Sequence, residues 1–373
     1  MSGLIILIIC CCICAAISQR RSNDMRIRTF KAQEQLFFTI LVCYMIVFAG
    51  LRTHFNDTFI YIKGFESCKK FPDILKNMDW ALGENPGYNI FISIIKAFSD
   101  NKHIYLMLSS AIALYPTLWF VRKYSKNFTL SIFLIFMLGY YVFTMAAVKQ
   151  TIATAFSLIG LDRLIHGKKS WFVFFVLLGM SFHPYCLLYF LAPILLSQIP
   201  WKKGMWIMIL VTLVIAYSFN FLIGTLLKVT DILGENYDAS AFVGEGINIF
   251  RVMMYFVPVV ISFLWRKMLF NSSSKADNLF VNFSVVCAMI MFIGLFGNAN
   301  MFARLAKFLD PLVYVSLPRM LYKLRGQLSG MIISVGTYAT GPLFFYFQMG
   351  MSSEFEQGFR SITIGQFFNS LFN

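Results

Sequence analysis

Lys149 and Gln150 are polar side chains inside a long apolar run. Apolar or small residues flank them on both sides, over 145–148 and 151–153, and three of these are alanines. Small residues let membrane helices approach closely, so we expect this turn to be buried in a helix bundle. A buried Lys needs an anionic partner, which is either a protein carboxylate or a phosphate group of a ligand.

A second group of charges follows a helical spacing. Arg304, Lys307 and Asp310 stand at i, i+3 and i+6 near the outer end of a predicted helix, which places them on one side of it. We expect Lys307 to pair with Asp310. Arg304 is then a candidate to bind a phosphate or carboxylate, and Arg251, at the outer start of another predicted helix, is a candidate to join it.

Three further side chains are candidates to orient or deprotonate a substrate hydroxyl. His183 precedes a proline, which disfavours helix at the residue before it, so we expect a break there and a hairpin over 171–199. Asp57 follows Arg52, which ends the second apolar run at its external edge. Glu84 stands just before another predicted helix. The residue types alone do not rank these three candidates.

This set of cations and carboxylates at one membrane face suits an anionic lipid head group. A lipid diphosphate would keep its charge at head-group depth and its isoprenoid tail among the helices. Each charge-assisted hydrogen bond to phosphate contributes about 1.5–3 kcal/mol. Three or four such bonds would hold the donor and stabilise the diphosphate as it leaves. A base near an acceptor hydroxyl would complete the requirements for group transfer.

Metal-assisted use of a nucleotide sugar would need acidic ligands such as Asp-x-Asp on the cytoplasmic side. The predicted cytoplasmic connections contain Asp24, Glu34, Asp162 and Asp277 and no such motif. The sequence also lacks a P-loop and a Gly-rich dinucleotide-binding turn. We therefore expect no metal and no cofactor. Transport of a lipid-linked glycan stays open as an alternative at this point.

Composition places these residues in a membrane protein. The chain has 373 residues, of which 58% are hydrophobic and 13% charged, whereas soluble proteins carry about 25% charged residues. This excludes a soluble enzyme, a disordered chain and a secreted disulfide scaffold. The net charge of +15 follows the positive-inside rule and does not indicate nucleic-acid binding. The basic residues cluster in connections 20–31, 122–126, 163–169, 202–203, 266–275 and 319–325.

The apolar runs predict an all-α fold, a polytopic transmembrane helix bundle of about 12 spans (about 11–14) that is GT-C-like in the broad sense. It would form a single integral membrane domain over 1–373, with both termini outside. External loops are predicted at 53–87, with an amphipathic piece near 71–82 on the membrane surface, and at 228–249. The predicted spans are 3–18, 35–51, 103–121, 128–144, 146–165, 171–182, 185–199, 205–227, 250–265, 278–297, 305–321 and 327–347, with a further short or re-entrant helix at 88–98.

Several short motifs resemble those of the EpsG family of bacterial polysaccharide polymerases, which are related in function to the Wzy O-antigen polymerases. The motifs are Gly50-Leu51-Arg52 with Asp57-Thr58 and Tyr61, Glu84-Asn85-Pro86-Gly87-Tyr88, Lys149-Gln150 with Ala153, Ser181-Phe182-His183-Pro184, and Phe302-Ala303-Arg304 with Phe308. The chain departs from the family pattern at Lys149, where the family has Arg. Lys keeps the charge but loses the planar, two-pronged grip of a guanidinium on phosphate.

The resemblance implies a polymerase that uses undecaprenyl-diphosphate-linked oligosaccharides as donor and acceptor. It would work on the outer face of the bacterial cytoplasmic (inner) membrane, beside a flippase and chain-length or export proteins. The residues expected to bind the diphosphate or the glycan are Arg52, Tyr88, Lys149, Gln150, Arg251, Arg304 and Lys307. Asp57, Glu84 or His183 would orient or deprotonate the acceptor hydroxyl. The alternatives are a lipid-linked oligosaccharide flippase and a membrane O-acyltransferase.

Overall fold

Long apolar segments joined by short polar connections make this chain helical, because helices satisfy every backbone hydrogen bond inside a bilayer. The computed structural model describes residues 2–19, 32–232, 244–350 and 358–372. These residues form helices almost throughout, with one pair of short strands. The predicted basic connection 20–31 and Glu235, Tyr237 and Asp238 of the predicted loop 228–249 lie outside the described residues.

The chain folds as two compact units. The first comprises the described residues of Met1–Met78, Gly87–Ala155 and Met331–Asn373, and the second those of Asp79–Pro86 and Phe156–Gly330. The prediction of one integral membrane domain over 1–373 stays a prediction.

The first unit contains mostly apolar helices and both short strands. Its helices, including those that begin or end in it, are α1 (Ser2–Ser18), α2 (Ala32–Gly50), α3 (Thr58–Ser67), α4 (Pro86–Phe98), α5 (Lys102–Tyr124), α6 (Phe128–Met137), α7 (Tyr140–Ala146), α8 (Val148–Ile165), α18 (Leu328–Phe345) and α19 (Ile364–Phe372). Strand β1 (Arg52–His54) pairs antiparallel with β2 (Arg360–Ser361). Asn101 caps α5, because its side chain accepts from the first backbone amides of that helix.

The second unit continues from the later part of α8. Its further helices are α9 (Lys169–Phe182), α10 (Ala192–Ser197), α11 (Lys203–Tyr217), α12 (Phe219–Ile232), α13 (Ile249–Leu264), α14 (Arg266–Phe270), α15 (Lys275–Ile293), α16 (Ala299–Lys307) and α17 (Asp310–Lys323). A 3₁₀ helix, Pro184–Leu191, follows α9 and packs against it. Helices α15 and α17 pack together in the most buried part of this unit.

Several described helices are long and apolar enough to cross a membrane, so the chain is an all-α membrane protein. They are α2, α5, α15 and the helix from Leu328 to Gln348 that includes α18. Helices α6 and α7 together also qualify, but they are bent by 54°. Gly139 forms this bend with a φ of 74°, a left-handed conformation that glycine adopts without strain. The predicted count of about 12 spans stays a prediction.

Two other predicted spans are divided. The predicted span 305–321 becomes α16 and α17, separated at Phe308 and Leu309. Pro311 explains the new start, because proline lacks the amide that would continue the hydrogen bonds of α16. The predicted span 205–227 is interrupted at Ser218, and nothing in the structure explains that break.

The predicted external loop 53–87 is more ordered than expected. Helix α3 forms there, with Thr58, Ile62 and Phe65 buried on one side at helical spacing. The predicted amphipathic piece near 71–82 contains a 3₁₀ turn over Asp73–Asn77, and its place on the membrane surface stays a prediction. The short helix expected at 88–98 is present as α4.

Candidate functional site

Arg52 is a fully buried cation held by its own unit. Its Nε donates to the Thr58 hydroxyl at 3.0 Å, and its terminal nitrogens donate to the carbonyls of Ala49 and, at 3.2 Å, Met145. Within the described part of the chain, no carboxylate accepts from it. Burial lowers the pKa of Arg52 to about 10, so the side chain stays cationic at neutral pH. Arg52 therefore ties the end of α2 to α3 and α7.

Several tyrosine hydroxyls belong to the electrostatic environment of the Arg52 guanidinium. Four tyrosines, Tyr61, Tyr88, Tyr105 and Tyr141, lie within electrostatic range of it. The hydroxyls of Tyr88 and Tyr105 share a hydrogen bond, and the Tyr61 ring meets the Tyr88 ring edge-on at 6.2 Å. A buried positive charge and several tyrosine side chains thus share one neighbourhood of the first unit.

Lys149 extends this aromatic neighbourhood. Its Nζ lies 5.1 Å from the centroid of the Tyr88 ring, which is a cation–π geometry. Gln150 is buried beside it, and so is Ala153. The prediction that this turn packs inside the protein is therefore confirmed. The first unit brings Arg52, Tyr88 and Lys149 into one neighbourhood.

The two candidate carboxylates lie in different units. Asp57 stands at the N-cap position of α3 in the first unit and is half-buried. Glu84 ends a 3₁₀ turn in the second unit and is exposed. Asn85, which follows it, has a φ of 54° and leads into Pro86 at the start of α4.

His183 stands at the predicted chain break. Helix α9 ends at Phe182, and His183 adopts an extended conformation with a φ of −161°. The amide of Tyr185 donates to its Nδ1 at 3.4 Å, an arrangement that corresponds to the neutral tautomer with its proton on Nε2. The His183 ring lies 5.3 Å from the Phe308 ring, so the hairpin meets the junction of α16 and α17. The hydroxyl of Tyr189 fixes that contact by donating to the Phe308 carbonyl at 2.6 Å.

The predicted Lys307–Asp310 pair is confirmed and forms the centre of a larger cluster. Lys307 Nζ lies 2.7 Å from Asp310 Oδ2. The same oxygen accepts from the Tyr314 hydroxyl at 2.7 Å and the Tyr255 hydroxyl at 3.1 Å. Asp310 is completely buried, and its Oδ1 has no hydrogen-bond partner among the described residues. One carboxylate thus holds together α13, α16 and α17.

Arg251 and Arg304 are the two candidate arginines of the second unit. Arg251 precedes Tyr255 by one turn of α13, on the same face, and lies within electrostatic range of Lys307. Its half-buried side chain makes no hydrogen bond or ion pair with the described residues, and its Nε is inaccessible to solvent. Arg304 lies one turn before Lys307 on α16 and is half-buried. The second unit thus groups Arg251 with the Lys307–Asp310 pair.

Sequence reasoning missed tyrosines in two places, the neighbourhood of Arg52 and the cluster around the Lys307–Asp310 pair. Tyr314 stands four residues after Asp310, and Tyr255 four residues after Arg251. This i, i+4 spacing is a signal that places each tyrosine on the face of its charged neighbour. Tyr105 had no such signal, because its partner Tyr88 belongs to another helix.

The side chains that could ligate a metal ion are dispersed. Across the part of the chain that the structure describes, no three His, Cys, Asp or Glu side chains are grouped as a metal ion would require. Transfer without a metal stays a prediction.

The EpsG family model matches residues 35–359. The chain belongs to the EpsG family. The match includes every candidate site residue from Arg52 to Lys307, and membership supports a general role as a polysaccharide polymerase. No curated protein and no solved structure matches this EpsG-family chain.

Proposed function

We propose that this EpsG-family protein is a membrane glycosyltransferase that polymerises undecaprenyl-diphosphate-linked oligosaccharides on the outer face of the bacterial cytoplasmic membrane. An acceptor hydroxyl attacks the anomeric carbon of the donor glycan, and the bond from that carbon to the phosphate oxygen breaks. The hydroxyl proton passes to a protein base, and undecaprenyl diphosphate leaves. The acceptor chain stays attached to its own lipid carrier.

The chain belongs to a family of polysaccharide polymerases, and one structural observation supports this more specific proposal. In the second unit, Lys307 pairs with Asp310, and the cation Arg251 lies within electrostatic range of Lys307. The cluster has a net positive charge beside apolar helices, which suits a lipid-linked diphosphate. Arg251 has terminal guanidinium nitrogens to offer a phosphate, whereas Lys307 is engaged with Asp310.

The charges along α17 support the outer location. Its C-terminal half contains Arg319, which is 2.6 Å from Asp277 of α15, and Lys323, which is 3.2 Å from the same carboxylate. The positive-inside rule assigns this basic end to the cytoplasm. Asp310 starts the same helix about 20 Å away, given a rise of 1.5 Å per residue. The Lys307–Asp310 pair would then face the outer leaflet.

Each candidate residue has a proposed role. Arg251 and Arg304 bind the diphosphate in the second unit. Lys149 contributes charge in the first unit, with Gln150 orienting the substrate, while Arg52 and Tyr88 support that region. His183 carries its proton on Nε2 and therefore suits donation to a substrate oxygen. This favours Asp57 or Glu84 as the base.

The proposal also includes the number of spans, the absence of a cofactor and the partner proteins. About 12 spans would cross the membrane, and no metal or cofactor would be needed. A flippase would supply the lipid-linked units, and chain-length or export proteins would act on the product. A flippase or an O-acyltransferase is the alternative for this chain itself.

Purified protein in detergent tests the proposal against both alternatives. Supplied only with lipid-linked repeat units, the wild type should form a ladder of longer glycans. A flippase would form no ladder, and an acyltransferase would need an acyl donor. The control is Lys228→Ala, which removes an exposed cation of α12 and should leave the ladder unchanged. Absence of a ladder from folded wild-type protein would contradict the proposal.

A further inference from the structure

The C-terminal segment is attached to the end of a membrane-spanning helix. Strand β2 pairs with β1 directly after α2, with Ser361 opposite Arg52. The amide of Ile362 donates to the carbonyl of Leu51 at 3.0 Å. We call residues 359–372 the strap. The family match ends at residue 359, so the strap is almost entirely additional to the matched region.

A second spanning helix holds the other end of the strap. Asn101, the cap of α5, donates from Nδ2 to the carbonyl and the hydroxyl of Ser370 at 2.9 and 3.0 Å. The Phe367 ring meets the His103 ring edge-on at 6.4 Å. Phe367 and Ser370 stand at i and i+3 of α19, so this face of the helix packs on the protein.

An adjacent face of α19 is apolar, and no described residue covers it. Ile364, Phe368 and Leu371 stand at i, i+4 and i+7, and they are 57%, 54% and 40% exposed. No charged residue occurs from Ser361 to the end of the sequence. An apolar stripe of this kind is unfavourable in water and favourable at the boundary between lipid head groups and acyl chains.

We infer that the strap seats α19 in the surface of the bilayer, with Ile364, Phe368 and Leu371 in contact with lipid. The positions of its two attachments favour lipid as the partner of this stripe over another protein. The strap is bound at the end of α2 and at the start of α5, both of which are long enough to span the membrane. A helix fixed at the ends of two spans lies at head-group depth. This inference is independent of the glycan chemistry.

Photocrosslinking in the full-length protein tests the inference. The photoreactive residue p-benzoylphenylalanine replaces Phe368 in one variant and Phe367 in a matched variant, and each is reconstituted in nanodiscs of alkyne-labelled phospholipid. A third variant carries the probe at Val211, an exposed residue of the apolar helix α11, and sets the level expected for lipid contact.

The probe at 368 should label lipid at a level similar to that at 211. The probe at 367 should label lipid several-fold less and crosslink within its own chain. Equal lipid labelling at 367 and 368, or no lipid labelling at 368, would overturn the inference. A crosslink from 368 to a second copy of the chain would also overturn it, because the apolar stripe would then be a dimer interface.

Discussion

The Nζ of Lys307 lies 2.7 Å from Oδ2 of Asp310, with both side chains almost completely buried. Two tyrosine hydroxyls donate to the same carboxylate oxygen. The pair therefore connects three helices and sets the charge of the cluster that contains Arg251. Its roles in stability and in substrate binding can be separated by substitution.

Asp310→Asn should destabilise the protein. Removing one member of a buried ion pair leaves the other charge uncompensated, which costs about 3–5 kcal/mol. The matched control is Asp73→Asn, which breaks the fully exposed ion pair with Lys76 and should not measurably change stability. Thermal unfolding in detergent checks both variants. An equally small shift in both would contradict a structural role for the Lys307–Asp310 pair.

Arg251→Ala should reduce polymerisation without reducing stability, because this side chain makes no ion pair with the described residues. The loss of one charge-assisted contact, about 1.5–3 kcal/mol, corresponds to about tenfold to a hundredfold in kcat/KM. Rates with lipid-linked repeat units, together with unfolding temperatures, measure the two effects. If Arg251→Ala is as active as Lys228→Ala, Arg251 does not bind the substrate.

Lys149→Arg should keep or improve activity, whereas Lys149→Gln should raise KM. Arginine restores the two-pronged geometry for phosphate, while glutamine removes the charge that lies over the Tyr88 ring. The KM for the lipid-linked donor distinguishes the two variants. Tyr88→Phe is the companion variant, since it keeps the ring beneath the amine and removes only the hydroxyl. Unchanged KM in Lys149→Gln would exclude an electrostatic role in donor binding.

His183→Gln should keep more activity than His183→Asn. The amide of glutamine reaches the position of Nε2, which carries the proton, whereas that of asparagine reaches the position of Nδ1, which accepts from the Tyr185 amide. Both variants should fold, and kcat measures the difference. The reverse order of activities would show that His183 acts only by holding the hairpin.

Local spacing accounts for what the sequence predicted correctly. The break at His183 followed from the next residue, a proline, and the Lys307–Asp310 pair followed from a separation of three residues. Tyr255 lies 55 residues from Asp310 in the chain, so no periodic pattern links them. Long-range pairing of this kind depends on how helices pack, which a single sequence does not encode locally.

The strap also depends on contacts between residues that are far apart in the sequence, which local patterns do not predict. Asn101 and Ser370 are 269 residues apart, and β2 has only two residues, which is too short for a strand pattern. Helix α19 is also shorter than a membrane span, so the apolar periodicity that revealed the spanning helices did not reveal it.

The most direct test of the central claim is the stoichiometry of carrier release. Wild-type protein is supplied with repeat units linked to radiolabelled undecaprenyl diphosphate, and both free carrier and glycosidic bonds are counted over time. The proposal predicts one undecaprenyl diphosphate released for each bond formed, with both rates reduced together in Arg251→Ala. Chain growth without release of the carrier, or movement of lipid-linked units without chain growth, would contradict it.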